Sequence, residues 1–247
     1  MKTLSTEIWF KFRHSLIMKK LGLVGGMGPQ STVPYYHGIV YGVQCRTAPD
    51  FFPNLTVESV NVFHILDLCA REDYDAIAEY LLEAIRNLHR AGAEFAALSA
   101  NTSHIVLDRL QQSSPIPLLS IIDATCNEAL RRGYRKAGLL GTRFTMTKSF
   151  YRTPFEEAGI EIAVPTPEEM LYVDRKISEE LEYGIIKEET LSRFQQIISA
   201  MKQRDGIETV ILGCTELPLL LNDGNSPVPC LDTVQIHIDA IVDEILK

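Results

Sequence analysis

Several common features are missing from this chain. Its five cysteines, Cys45, Cys69, Cys126, Cys214 and Cys230, are odd in number and form no CxxC pair. That argues against a disulfide framework or a structural zinc site and makes a reducing cytoplasm the expected home. There is no basic tract, and 24 Lys and Arg against 32 Asp and Glu give a formal net charge of -8. Nucleic acid and anionic membrane surfaces are therefore poor partners. No apolar run approaches the ~18 to 20 residues that span a bilayer. The histidines have no metal-binding spacing, and GGMGPQST fits neither the GxGxxG nor the GxxxxGK(S/T) phosphate pattern. Residues 1–17 lack a continuous apolar stretch and a small-residue cleavage site. They read as an extension outside the fold, with a short packed helix as the alternative, and not as a secretory signal.

What is present is the material of a globular core. The 247 residues are 46% hydrophobic and 23% charged, with mean hydropathy +0.02, enough for one large domain or two small ones. From Lys19 onward short apolar runs (LGLVGG, LTVESVNV, FAALSA, IPLLSII, KAGLLGT, IEIAVPT, ETVILGC, VPCLDT) alternate with helical segments such as YDAIAEYLLEAIRNLHRAG. This alternation predicts an α/β fold with parallel sheets.

The chain also repeats itself. GAEFAALSANTSH from Gly92 matches GIETVILGCTELP from Gly206, pairing Leu98 with Leu212 and Ala100 with Cys214. KLGLVGG matches KAGLLGT upstream, and SSPIPLLS matches NSPVPCLD downstream. Three matched segments in one order imply two similar halves about an approximate twofold axis. Ligands of open α/β sheets bind outside the carboxyl ends of the strands. Ala100 and Cys214 are thus expected on opposite walls of one cleft, suited to chemistry on both faces of a small molecule.

Cys214 closes VILGC and precedes Thr215 and Glu216, a place where a helix N-terminus would favour a thiolate. An ordinary thiol, with a pKa near ~8.5, is readily tuned as an acid or base. An isolated cysteine otherwise serves as a small core hydrophobe. Asn101, Thr102 and Thr215 carry donors suited to a carboxylate, or to helix capping. Gly26 and Met27 follow the first strand, where glycine permits close backbone approach to a ligand. His104 and Glu216 are placed to tune the acid/base groups or to serve the structure.

LGLVGGMGPQST, ANTSH, LLGTRFTM, ILGCTE and PCLDT, in this order and spacing, resemble the motifs of the aspartate/glutamate racemase family over essentially the whole chain after Met18. The resemblance implies two four-stranded parallel sheets related by pseudo-twofold symmetry, with the active site between the domains. The expected domains are 18–117 completed by 230–247, and 118–229, with the last strand and helix crossing back to the first. It also implies racemisation by two opposed cysteines without pyridoxal phosphate or metal, so no cofactor is expected. Cys214 matches the second cysteine, while Ala100 stands at the vacant position of the first.

The resemblance further implies that Thr142 holds a distal carboxylate, with Thr145 as a second candidate. Catalytic roles fall to Cys214 and Thr102. Substrate binding falls to Gly26, Met27, Asn101, Thr142, Thr145, Thr215 and Glu216. Two departures concern charge: Leu171 stands where some members carry lysine, and no clear arginine follows SVNVFH, leaving Arg143 and Arg175 as loose substitutes. The expected partner is a small amino acid or dicarboxylate, with aspartate or glutamate first, and a homodimer is left open. The vacancy at Ala100 keeps three readings in play: a racemase that is slow or one-sided or uses Thr102, His104 or water on that face, a one-cysteine decarboxylase-like lyase, and a binding protein without turnover.

Overall fold

The computed structural model describes residues 18–247, and the reading of residues 1–17 as an extension lies outside the described residues. Two four-stranded parallel sheets form the framework. The first has the order β2-β1-β3-β4, from β1 (Leu21–Gly25), β2 (Leu55–Ser59), β3 (Phe95–Leu98) and β4 (Leu118–Leu119). The second has the order β6-β5-β7-β8, from β5 (Lys136–Leu140), β6 (Glu161–Ala163), β7 (Thr209–Leu212) and β8 (Cys230–Asp232). The eight apolar runs of the sequence are the eight strands, and the orders coincide when the matched segments are superposed. The central strands β1, β3 and β7 are buried along their whole length, as strands covered by helices on both faces must be.

Helices α1 (Pro29–Arg46), α2 (Val62–Ala70), α3 (Tyr74–Arg90) and α4 (Leu107–Ser113) belong to the first half, and α5 (Ile121–Arg131) leaves it. Helices α6 (Arg143–Thr147), α7 (Ser149–Glu157), α8 (Pro167–Glu179) and α9 (Glu188–Asp205) belong to the second, and α10 (Thr233–Ile245) leaves it.

The domain exchange differs from the expected one. β8 stays in the second sheet, where Val210 pairs with Cys230 and Leu212 with Asp232, and only α10 crosses back. There Val234, Ile238, Ile241, Val242 and Ile245 join the core around Leu21, Leu23, Tyr35 and Phe95. β4 likewise stays in the first sheet beside β3, while α5 crosses to the second core through Ile121, Ile122, Cys126 and Ala129. The boundary therefore follows each fourth strand, near residues 120 and 232, because the strand edge is satisfied by its own sheet and the amphipathic helix by the neighbouring one. Ser120 and Asp232, partners in the repeat, cap the two exchanged helices by accepting from Asp123 N and from Val234 and Gln235 N.

Two glycines bring α10 close. A Cβ on Gly38 would lie 2.8 Å from Ile238 and one on Gly42 would lie 2.9 Å from Val242, so α1 meets α10 at a separation that side chains would prevent. The buried polar contact beside them is complete: Tyr35 Oη donates to His237 Nδ1 at 2.7 Å, and His237 Nε2 donates to Leu119 O at 3.1 Å. Burial pushes His237 down to about 3, so it packs as a neutral imidazole.

Candidate active site

β3 and β7 end side by side across the interdomain cleft because both sheets run parallel and turn their carboxyl ends inward. After β3 the small residues of SANTS cannot continue a buried strand, and the chain turns into a 3-10 helix at Thr102–Val106. Ala100 O accepts from Ser103 Oγ and His104 Nδ1, each at 2.9 Å. His104 Nε2 accepts from Ile121 N at 3.3 Å, and burial lowers this imidazole to about 4. Both ring nitrogens are used in bracing the loop, so His104 does not serve the cavity. Asn101 Nδ2 donates to Thr233 Oγ1 at 3.2 Å, which in turn donates to Leu212 O at 2.9 Å. That chain ties the first wall to the end of β7. Asn101 Oδ1 is buried without a protein partner.

The opposite wall carries Gly213, Cys214, Thr215 and Glu216 before a three-residue 3-10 helix, Leu217–Leu219. The expected α-helix N-terminus is absent here, and with it the macrodipole. Cys214 Sγ donates to Glu216 Oε2 at 2.9 Å, and Thr215 Oγ1 donates to the same oxygen at 2.9 Å. The thiol is pushed well above its ordinary value, first by lost hydration, then by the Glu216 charge and its hydrogen bond; the Glu216 N–H opposes them and loses. The resting group is thus a thiol, contrary to the expectation of a depressed pKa. Ser31, in the first turn of α1, reaches across the domains: its Oγ lies 2.7 Å from Thr215 Oγ1 and donates to Glu216 Oε1 at 3.2 Å.

Between these walls lies a cavity of about 110 Å³, lined by both Ala100 and Cys214. Met27, Asn101, Thr102, Thr142, Thr215 and Glu216 also line it, which brings most of the sequence candidates together. Gly26 and Thr145 do not. Gly26, at φ 78°, faces the end of β2, where a Cβ would stand 2.3 Å from Val60 O; its close approach is to protein backbone and not to a ligand. Thr145 is buried, and its N–H donates to Thr142 Oγ1 at 3.3 Å, capping α6. Arg143 and Arg175 are also outside the lining, with the Arg175 guanidinium 5.9 Å from the Tyr172 ring centre.

Sequence reasoning missed Ser31, which meets the site through Thr215 and Glu216, and the lining residues Ser103 and Glu182 with the apolar side formed by Val62, Ile65 and Leu66 of α2. The spacing of the last three is that of one helix face and was readable in VNVFHILDL. Glu182, in the turn Leu181–Tyr183, carried no local signal. Among the described residues, no group of three or more His, Cys, Asp or Glu is arranged to hold a metal ion. No helix among them is long and apolar enough to cross a membrane.

A family model for Asp/Glu/hydantoin racemases matches residues 24–241. The chain belongs to that family. Its members are isomerases, and the two-sheet architecture agrees with solved relatives. A candidate Asp/Glu racemase from Yersinia pestis is 38% identical, with TM-score 0.87 over 93% of this chain and 100% of that one. An aspartate racemase homologue from Pyrococcus horikoshii is also 38% identical, with TM-score 0.83 over the same shares. The broad specificity amino-acid racemase of Bacillus subtilis is 24% identical over 86% of this chain and 92% of its own length. This racemase-family chain therefore presents its lone cleft cysteine at the end of β7, opposite an alanine.

Proposed function

We propose that this protein is a cofactor-independent amino-acid racemase in which Cys214 transfers the α-proton. The observation that carries the reading is the Cys214 Sγ–H···Glu216 contact inside the cavity shared with Ala100. Glu216 gives the thiol a proton acceptor within hydrogen-bond reach, so the thiolate that removes an α-proton forms by transfer to Glu216 Oε2 without release to solvent. The α-carboxylate is held by the Thr142 hydroxyl, and the ammonium by the unpartnered Asn101 Oδ1, while Thr215 keeps its hydrogen bond to Glu216. Met27 packs against the substrate.

On the Ala100 face the methyl group exchanges no proton. Of the two hydroxyls on that wall, Ser103 already donates to Ala100 O; we assign Thr102 the return of a proton drawn from solvent, matched by release of the Glu216 proton to solvent. A hydroxyl is a serviceable donor but a poor base near neutrality, so the step on the Ala100 face slows turnover in both directions, and any one-sidedness is confined to kcat and KM taken separately. The equilibrium between enantiomers is unaffected.

The relatives' names speak of aspartate, glutamate and broad-specificity racemisation, so the substrate is an amino acid whose side chain the cavity lining decides. The lyase reading draws on the same features, a protonated thiol facing a wall without a base. It requires a doubly charged malonate in a cavity already lined by Glu182 and Glu216, which disfavours it. A cytoplasmic location and a homodimer complete the proposal; cell fractionation and sedimentation test them. The functional test is 1H NMR in deuterium oxide over a panel of amino acids. Loss of the α-proton signal with inversion, abolished in Cys214→Ser, supports racemisation. Release of carbon dioxide from an arylmalonate without amino-acid exchange supports the lyase, and saturable binding with neither reaction supports a binding protein.

A further inference from the structure

The charge of the cavity bears on which amino acid enters it. Two carboxylates, Glu182 and Glu216, line it, and no lysine or arginine among the described residues does. Arg143, exposed beside Thr142, lies outside the lining, and the other cations of the adjoining elements are engaged elsewhere. Lys176 and Lys187 both pair with Glu180, Lys148 reaches across the domains to Glu72, and Arg175 lies over Tyr172. Glu216 is occupied by Cys214, Thr215 and Ser31. Glu182 has no such partner: the groups acting on it are Glu216 and Asp174, both acidic, and with lost hydration they push it up. The turn that bears it is held by the adjacent Glu180, which is 4% exposed and accepts from Lys187 at 3.0 Å and Thr190 at 2.6 Å. Glu182 is thus an exposed carboxylate on the cavity lining that has no cationic partner among the described residues.

The apolar face of α2, Val62, Ile65 and half-exposed Leu66, lines the same cavity as Cys214 and Glu182. A methylene stem packs along such a face while its charged end stays in water. A second carboxylate on the substrate would instead meet two like charges and no counter-ion. We infer that Glu182 and the α2 face select an amino acid with a cationic aliphatic side chain, of the lysine or ornithine type, over a dicarboxylic one. This rests on the racemase reading above for the placement of the α-carbon at Cys214.

The experiment compares α-proton exchange in deuterium oxide for lysine, ornithine, alanine, aspartate and glutamate, alongside NMR binding titrations of the same compounds. Lysine and ornithine are expected to exchange at least about tenfold faster than aspartate and glutamate at equal concentration. Glu182→Gln is expected to lower the lysine-to-alanine ratio of kcat/KM about two- to fivefold, the worth of one solvent-edge ion pair. Glu182→Lys is expected to shift the preference toward glutamate. Faster exchange of glutamate than lysine by the natural chain, or an unchanged lysine-to-alanine ratio in Glu182→Gln, overturns the inference. If no amino acid exchanges, the racemase reading fails separately. Binding then decides this inference: lysine binding weakened by Glu182→Gln upholds it, and binding of lysine no tighter than glutamate refutes it.

Discussion

Acidification tests two buried histidines, His104 bracing the cleft loop and His237 the contact between α1 and α10. His104 and His237 have folded values of about 4 and about 3, whereas an unfolded histidine titrates near ~6.5. Below that value the unfolded chain takes up protons that the folded chain refuses, so the stability is complete above ~6.5 and is lost as pH falls toward the folded values. Between pH 7 and pH 5 each histidine then removes about 2 kcal/mol, or about 4 kcal/mol together. With a urea slope of about 2.5 kcal/mol/M, the unfolding midpoint drops by about 1.5 M. Asp123, Glu182 and Asp232 are raised by burial and act in the opposite sense, so the decisive quantity is the difference between variants. His104→Gln and His237→Gln are each expected to reduce the pH 7 to pH 5 loss by about 2 kcal/mol in urea titrations followed by circular dichroism. A ring-proton NMR titration, in which these two imidazoles stay neutral down to pH 5, tests the same point without any substitution. Identical pH dependence in the variants and the natural chain, or titration of both rings near 6.5, would refute the reasoning.

Other outcomes follow from the cleft. Ala100→Cys places a second thiol opposite Cys214 and is expected to raise racemisation by ~10² to 10⁴, with solvent deuterium entering on both faces by chiral NMR; unchanged single-face exchange counts against the opposed-wall geometry. Because lost hydration and Glu216 both raise the Cys214 thiol, alkylation by iodoacetamide at this cysteine is expected to rise with pH well into the alkaline range. Glu216→Gln is expected to move that profile to lower pH, and mass spectrometry of the labelled peptide reads it; no shift, or a shift the other way, would mean that the Glu216 charge does not hold the resting thiol protonated. Gly38→Leu forces side-chain atoms into Ile238 and is expected to cost about 1 to 3 kcal/mol of stability, measured by urea unfolding; no loss would show that α1 and α10 are not closely packed.

The strand pattern and the repeat were legible before any coordinates, because a strand covered on both faces has to be an apolar run and a duplicated fold has to repeat those runs in order. The opposition of Ala100 and Cys214 followed from the same repeat, since equivalent strand ends in two facing sheets meet at the same cleft. Only the tertiary structure decided where the fourth strands and their following helices part company, because sequence shows that a helix is amphipathic but not which sheet its apolar face covers. Only it showed that Gly26 serves Val60 and that Thr145 lies beneath Thr142. The protonation of Cys214 was also a tertiary matter: a thiol's pKa depends on lost water and on which charges come near it, and the local sequence suggested a helix end where the chain makes a three-residue turn. Glu182 has no motif around it. It joins the site because the fold brings a turn after α8 to the mouth of a cavity whose other walls come from residues far away in sequence.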